Sequence, residues 1–593
     1  MGFLGLRWRP ADRGLSHAAR TLSERLGSER GWATLMDWRG LLVLHRGDEA
    51  VETLPSGAGF VFGERFGRAE ADPSPPCSEH VDCTPIWVEE RWGAYIAILI
   101  DRAFDVVRVL RDPSGARPCY LSKLAGVEVF FSAAEDFIAL APNVEPDLGF
   151  VRAFLRHPAH LGRHTGFVGV VELAPGECAV YARECAHIER YWTPHSFHLR
   201  SAPLDFAEGR RALRGAAEAC VQACGAKHTK IALRLSGGFD SSVMLALLRR
   251  HTEADLVCVN EFWDGAPEGD ERAQARTAAE MWDVGLHELH VDPHQVDYAR
   301  CLSAPLTVKP TMALLGLGNA ENDGFFESLG CTIIASGQGG DHLFHRSRTP
   351  WIAADALRDG RPSDELFRIA LDTARLTRCS VWDVLATMAK GAVGWKMDFG
   401  RCSEVMGVLI DVADDEVEEP HAWLADLRRA TPARRLRVHQ LLHALGYFDE
   451  SILAPGLNPR ALLLSQPIIE TCLRIAPYVM TAGGRERALA RAAFADLIPD
   501  QVAQRVGKGE TTRFFAAVLA ANRDWMRSIL LEGRLVEAGV VDRRALQRAL
   551  AGPWLQDGVA ADGLYALIAA ECWLRNLQAA RAAAVSATRS ILS

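Results

Sequence analysis

The sequence has no run of about 18 apolar residues, so no segment is long enough to cross a bilayer as a helix. It has no cleavable signal pattern either, because the opening MGFLGLRWRPADRG carries only a short apolar patch. It lacks an excess of base. The net charge is −9 over 593 residues, whereas a nucleic-acid reader usually shows a basic face in its totals. Its 14 cysteines form no framework. CSEHVDC (Cys77, Cys83) has poor metal spacing, and Cys220 and Cys224 fall on one predicted helix. Scattered cysteines of this kind read as reduced core residues of a cytoplasmic protein. Repeats and low-complexity tracts are absent, and the acidic stretch DVADDEVEEP (411–420) reads as solvated surface. What these absences leave is a globular chain with no nucleic-acid partner and no membrane span. At 49% apolar and 24% charged it has an ordinary composition, and it is too long for one core.

Two textures divide it. Over the first ~190 residues short strands alternate with turns. Examples are WGAYIAILID, FDVVRVLRD, VEVFFSAAEDF and ECAVYA, with helical pattern chiefly around 11–26 and 146–157. The predicted boundary lies near 194–205, giving domains 1–195 and 205–593. Beyond it a helix over 206–226 precedes strand KIALRLS, helix 241–250, strand ADLVCVN, helix 270–283, strand LHELHVD and strand CTIIASG. That alternation predicts a parallel sheet with helices on both faces. After Leu343 the pattern is almost wholly helical.

The chemistry is concentrated in two glycine turns. Strand IALRL runs into Ser236-Gly237-Gly238-Phe239-Asp240-Ser241-Ser242, and a helix follows at once. Glycines admit a bulky ligand, and the free N–H groups and dipole of a helix start attract an anion, phosphate above all. The hydroxyls of Ser236, Ser241 and Ser242 add donors. Asp240 would repel phosphate unless a Mg²⁺ lies between them. No G-x-x-x-x-G-K-[ST] string occurs. CTIIASGQGGDHLF (331–344) repeats the logic, with Gly337 and Gln338 in the turn and Asp341 at the helix start. Asp240 and Asp341, each at a strand's carboxyl end, are placed to share one cation. Asp341 alone would read as a helix N-cap.

SGG-x-DSS resembles the pyrophosphate-binding loop of ATP pyrophosphatases, which cleave ATP between its α and β phosphates and leave AMP on the substrate. With both turns, the region from about 205 to 515 resembles the synthetase domain of the asparagine synthetase family. Within that family, LLLSQPIIETCLRIAPYVMTAGGRERALARAAFADLIPDQVAQRVGKG (462–509) resembles the lasso peptide cyclase branch, related to the β-lactam synthetases. RDPSGARPCY and ELAPGE resemble the family's amidohydrolase-type glutaminase domain. The resemblance implies an α/β protein with an N-terminal Ntn-glutaminase-like sandwich and a C-terminal ATP-pyrophosphatase-type (adenine nucleotide α-hydrolase-like) parallel sheet with extra helices. It implies ATP and Mg²⁺ as cofactors. It also implies that Lys508, in RVGKGETTRFF, is the catalytic lysine and that Glu271 is a carboxylate near the nucleotide. Arg485, Arg487, Arg491, Arg505 and Arg513 could hold pyrophosphate or peptide, though arginines of this kind are ordinarily surface charges.

Three departures narrow the reading. A glutamine-using member needs Cys at position 2, whose thiol attacks the amide with its own α-amine as base. Here that position is Gly2 and the first cysteine is Cys77, which predicts no glutamine hydrolysis and a domain reduced to scaffold or docking surface. Gln338 stands where asparagine synthetases carry Glu and β-lactam synthetases carry a Tyr, and it supplies neither carboxylate nor phenol. His342 replaces the usual Glu after the aspartate and could serve as a base. The expected function is an AMP-forming lasso peptide cyclase, with a precursor peptide as substrate and a leader peptidase as partner. The alternatives are a small-molecule amide synthetase and a non-catalytic ATP-binding regulator.

Overall fold

The computed structural model describes residues 2–26, 31–47, 51–68, 84–158, 162–182, 185–199, 204–265, 269–314, 320–392, 421–425, 427, 430–446, 458–505, 507, 509, 512–551 and 558–592. Cys77, Cys83, the acidic stretch 411–420 and Lys508 therefore lie outside the described residues.

The N-terminal part is a sandwich of two antiparallel six-stranded sheets. One has the order β10(Val170–Glu172)-β8(Tyr120–Leu124)-β9(Val127–Phe131)-β1(Gly2–Arg7)-β3(Leu41–Arg46)-β2(Trp32–Trp38). The other runs β12(Ala186–Arg190)-β11(Glu177–Tyr181)-β7(Val106–Arg111)-β6(Arg91–Asp101)-β5(Gly59–Gly67)-β4(Val51–Thr53). Alternation along these strands sends Phe3, Val43, Phe60, Phe62, Ile98 and Phe130 into the space between the sheets. The outer faces are covered too. Helices Arg13–Leu26, Ala134–Leu140 and Leu148–Arg156 pack on the first sheet, and the final helix Gly558–Leu592 packs against the last two of these. The chain's helical end thus closes back on its N-terminal part, where the Trp573 ring lies 5.9 Å from that of Phe167. The second sheet's outer face joins the core of the C-terminal part through Tyr95, Leu110, Cys178 and Val180.

The C-terminal part is built on a five-stranded parallel sheet of order β15(Leu286–His290)-β14(Asp255–Phe262)-β13(Lys230–Arg234)-β16(Ile333–Ser336)-β17(Pro459–Arg460). The first four strands fall where the alternation predicts. β17 sits in the stretch expected to be helical, and two residues leave no periodicity to read. The order has one consequence for function. From β13 the chain moves outward through β14 and β15, then returns to the opposite side of β13 at β16. β13 and β16 are therefore neighbours at the reversal, the place where open α/β sheets bind ligands.

Candidate active site

β13 leaves the sheet through buried Leu235, whose carbonyl accepts from Asn260 Nδ2 at 2.7 Å, and turns at Ser236–Gly238. Gly237 takes φ +86. The helix that follows, Phe239–His251, begins two residues before the expected 241, with Gly238 as its N-cap. Asp240 consequently stands inside the first helical turn and is 7% exposed. Ser236 Oγ and Ser241 Oγ are 3.0 Å apart at the mouth of the turn. Ser242 is turned inward: it is buried, and its hydroxyl donates to Gly238 O at 2.9 Å. It braces the turn and does not line the cleft.

β16 delivers the second turn beside the first, since Arg234 and Ser336 are in register across the parallel ladder. A Cβ on Gly337 would lie 2.5 Å from Ser241 N, and one on Gly340 would lie 2.3 Å from Asp240 Oδ1. Only glycine lets the second turn rest on the start of the first helix and leave room for the Asp240 carboxylate. The glycines of GQGGD thus serve the close approach of two turns as much as the approach of a ligand.

The two carboxylates meet on one guanidinium. Arg487 Nη1 lies 3.3 Å from Asp240 Oδ2, and its Nη2 forms a close ion pair with Asp341. Arg346 Nη1 reaches Asp341 Oδ2 at 3.3 Å from the other side. Arg487 is 3% exposed and left-handed, at φ 56. Its N–H donates to His345 O at 3.3 Å, and His345 is itself left-handed at φ 62. Two such residues in contact mark backbone strain, of order 1–3 kcal/mol each, held by the packing around the site. Phe239, between the serine-rich and glycine-rich halves of the motif, presents its ring to Arg487 (5.8 Å) and Arg491 (5.0 Å). Burial, reinforced by Arg485 and Arg487, pulls Arg491 down to about 10, so it remains a cation at neutral pH.

Glu271 enters from the start of helix Arg272–Met281 and does something its position in sequence does not suggest. Its Oε1 accepts from Arg505 Nη1 at 2.6 Å and from Gly509 N at 2.7 Å. The carboxylate therefore ties the segment around 505–509 to the first turn. Gly507 and Gly509, which flank Lys508, are thereby brought to the cleft.

Together these elements line a cleft of about 320 Å³. Of the residues singled out in the sequence, Ser236, Gly237, Gly238, Asp240, Ser241, Glu271, Gly337, Gln338 and Asp341 all line it. So do His342, Arg487, Arg491 and Arg505, whereas Arg485 and Arg513 are exposed and outside it. Arg234 and Ser336 also line it and carry no signal in the sequence beyond their place at strand ends.

The model of the family described as asparagine synthase matches residues 212–575, well over half of the chain. The chain belongs to the asparagine synthase family. Membership makes it an ATP-dependent amide-forming ligase. No curated protein matches the chain. Among solved structures it is similar to an allosteric regulatory enzyme of purine biosynthesis and to the glutamine phosphoribosylpyrophosphate amidotransferase from B. subtilis complexed with ADP and GMP. Each is 11% identical over 50% of this chain, with 82% and 83% of their own chains covered and a TM-score of 0.20. Superpositions that loose carry no argument.

In this family member Gly2 packs against the side chain of Asp136. A Cβ there would lie 2.7 Å from Asp136 Oδ2, and Asp136 is buried and paired with Arg46 at 2.8 Å. Among the described residues no cluster of three or more His, Cys, Asp or Glu is spaced for a metal ion. Mg²⁺ in phosphate sites needs fewer, because one or two carboxylates and the substrate's own oxygens complete its shell. Asp240 and Asp341 already converge on a cation, so the residues present fit Mg²⁺ carried with a nucleotide.

Proposed function

We propose that the protein is an AMP-forming macrolactam synthetase, a lasso peptide cyclase acting on a precursor peptide. The observation that carries the chemistry is the convergence of Asp240 and Asp341, from two turns at the sheet's reversal point, within a cleft also lined by Arg234, Arg487, Arg491 and Arg505. A carboxylate is a poor acyl donor because oxide is a poor leaving group. The side chain of an Asp or Glu in the peptide attacks the α-phosphorus of ATP, and pyrophosphate departs. Asp240 and Asp341 would hold Mg²⁺, which would offset charge on the phosphates. The first turn's backbone N–H groups, Ser236 and Ser241 donate to the departing oxygens, and Arg491 and Arg505 neutralise them. Lys508 meets charge developing at the α-phosphate. The peptide's own N-terminal amine then attacks the acyl adenylate, closing the isopeptide bond and releasing AMP.

An α-amine titrates at about 7.7–8.0, so a good fraction is neutral near pH 7.5 and the lack of a Tyr or Glu at Gln338 is tolerated. His342 lines the cleft, with the His443 ring 5.9 Å away, and is the group best placed to take the proton. Threading costs the free peptide entropy, so the enzyme must bind the pre-threaded shape before closure. The peptide reading, with a leader peptidase as partner, rests on the resemblance over 462–509. Gly2, which has no thiol to attack glutamine, fits an amine supplied by the peptide itself.

The test is incubation with ATP and the candidate precursor, read by mass. Loss of one water from the peptide with formation of AMP supports cyclisation. AMP formation with free aspartate alone moves the protein to the small-molecule synthetases. Nucleotide binding without pyrophosphate release makes it a regulator.

A further inference from the structure

Far from the cleft, the outer edge of the second sheet carries a nucleophile, a base and an orienting acid in a row. Cys185 immediately precedes edge strand β12, and His187 and Glu189 follow at the period of two that keeps side chains on one face. Cys185 Sγ lies 3.9 Å from His187 Nδ1. His187 Nε2 lies 2.9 Å from Glu189 Oε1, and the hydroxyl of Tyr191 donates to the other oxygen of the same carboxylate in a short hydrogen bond. The carboxylate selects the tautomer. With the proton on Nε2, the lone pair of Nδ1 faces the thiol, and Tyr191 holds the carboxylate in place. The thiol is exposed, and the His187 and Glu189 side chains are 45% and 39% exposed, so a small reagent reaches all three. Nothing in adenylation or ring closure uses this row.

Among the described cysteines one other is exposed, Cys379, and it supplies a contrast. Its Sγ faces the carbonyl of Thr377 at 3.7 Å, and among the described residues no imidazole hydrogen-bonds to it. Cys331 is partly covered, and the remaining described cysteines are buried.

We propose that Cys185 is a base-assisted reactive thiol whose substrates are low-molecular-weight disulfides, making the edge of the N-terminal sandwich a site of reversible S-thiolation. The thiol proton moves to His187 Nδ1, and the resulting imidazolium is held by Glu189. Sγ attacks one sulfur of the disulfide. A new S–S bond forms as the old one breaks, and the electron pair leaves on the second sulfur as thiolate, which takes the proton from His187 or from water. The disulfide is the oxidant, Cys185 is oxidised to the mixed disulfide, and one equivalent of free thiol is released. Excess thiol reverses the reaction.

The experiment treats the full chain with an anionic aromatic disulfide, and separately with the neutral alkylating agent iodoacetamide, then follows each cysteine by peptide mass. Cys185 is expected to react about tenfold faster than Cys379 with both reagents. His187→Ala should bring Cys185 to the rate of Cys379 while leaving Cys379 unchanged, and Glu189→Gln should give an intermediate rate. The Cys379 rate and the silence of buried Cys178 and Cys258 in the same samples report that the fold is intact. Equal rates at Cys185 and Cys379 in the wild type would overturn the proposal. So would a fast Cys185 that neither variant slows. A fast reaction with the anionic disulfide but not with iodoacetamide would also overturn it, because local charge rather than the imidazole would then explain the rate.

Discussion

Arg487 Nη1 stands 3.3 Å from Asp240 Oδ2, and the same guanidinium closes on Asp341. The two acids of the separate turns are thus neutralised by the chain's own cation, held in a left-handed conformation at the start of helix Ala488–Phe494. Left without that partner, the two carboxylates would repel each other across the cleft.

Replacing the arginine exposes that repulsion. Arg487→Gln should lower the stability of the free protein by about 3–5 kcal/mol, the usual loss when one partner of a buried ion pair is removed. Mg²⁺ alone should then raise the melting temperature of the variant by more than that of the wild type, because the variant offers the metal an acidic pair with less compensating charge. Thermal melts with and without Mg²⁺, without nucleotide, check this. Equal responses would separate Arg487 from the cation position.

Glu271 positions the segment that carries Lys508. Glu271→Gln weakens the tie to Arg505 and Gly509 and should lower kcat on the order of tenfold to hundredfold, with a smaller change in the KM for ATP. Hydrogen exchange at Gly507 and Gly509 should quicken in the same variant. Lys508→Ala should lower the chemical rate by more than it weakens ATP binding, and equal losses would reassign the lysine to holding substrate.

His345 gives the site a pH signature. Burial, with Arg437 nearby, pushes this imidazole down to about 3, so it is neutral when folded and binds a proton near 6.5 when unfolded. Between those values the unfolded chain binds more protons, so the residue's contribution to stability is present above about pH 6.5 and is lost as pH falls toward 3. Asparagine tolerates the left-handed backbone and does not titrate. The stability difference between wild type and His345→Asn should be flat above pH 7 and fall steadily below 6.5. A flat difference throughout would mean that the imidazole is solvated in the folded protein.

Much of this site is legible in the sequence because its parts are local. Strand, glycine turn, acid and helix start are contiguous in 231–250 and again in 331–344, and contiguity alone places Asp240 and Asp341 at the ends of parallel strands. What the sequence hides is tertiary. Arg487 looks like one of many basic residues until the fold sets it between two acids. Ser242 matches the motif yet turns inward, because the helix starts at Phe239 and carries its hydroxyl back to Gly238 O. Glu271 reads as a carboxylate near the nucleotide, and only the fold shows that it also anchors the segment at 505–509. β17 is too short to show a period, and the closure of Gly558–Leu592 onto the N-terminal part depends on contacts between the two ends of the chain.

The central claim is that Asp240 and Asp341 act together on one metal-bound ATP so that AMP is transferred to a carboxylate. The most direct measurement is pyrophosphate release with ATP, Mg²⁺ and peptide, in wild type, Asp240→Asn and Asp341→Asn. Wild type should yield AMP and pyrophosphate in equal amounts, and each single variant should fall by about 100-fold or more, with the double variant no worse than either. ADP and phosphate as products, or near-normal pyrophosphate release from either variant, would contradict the account.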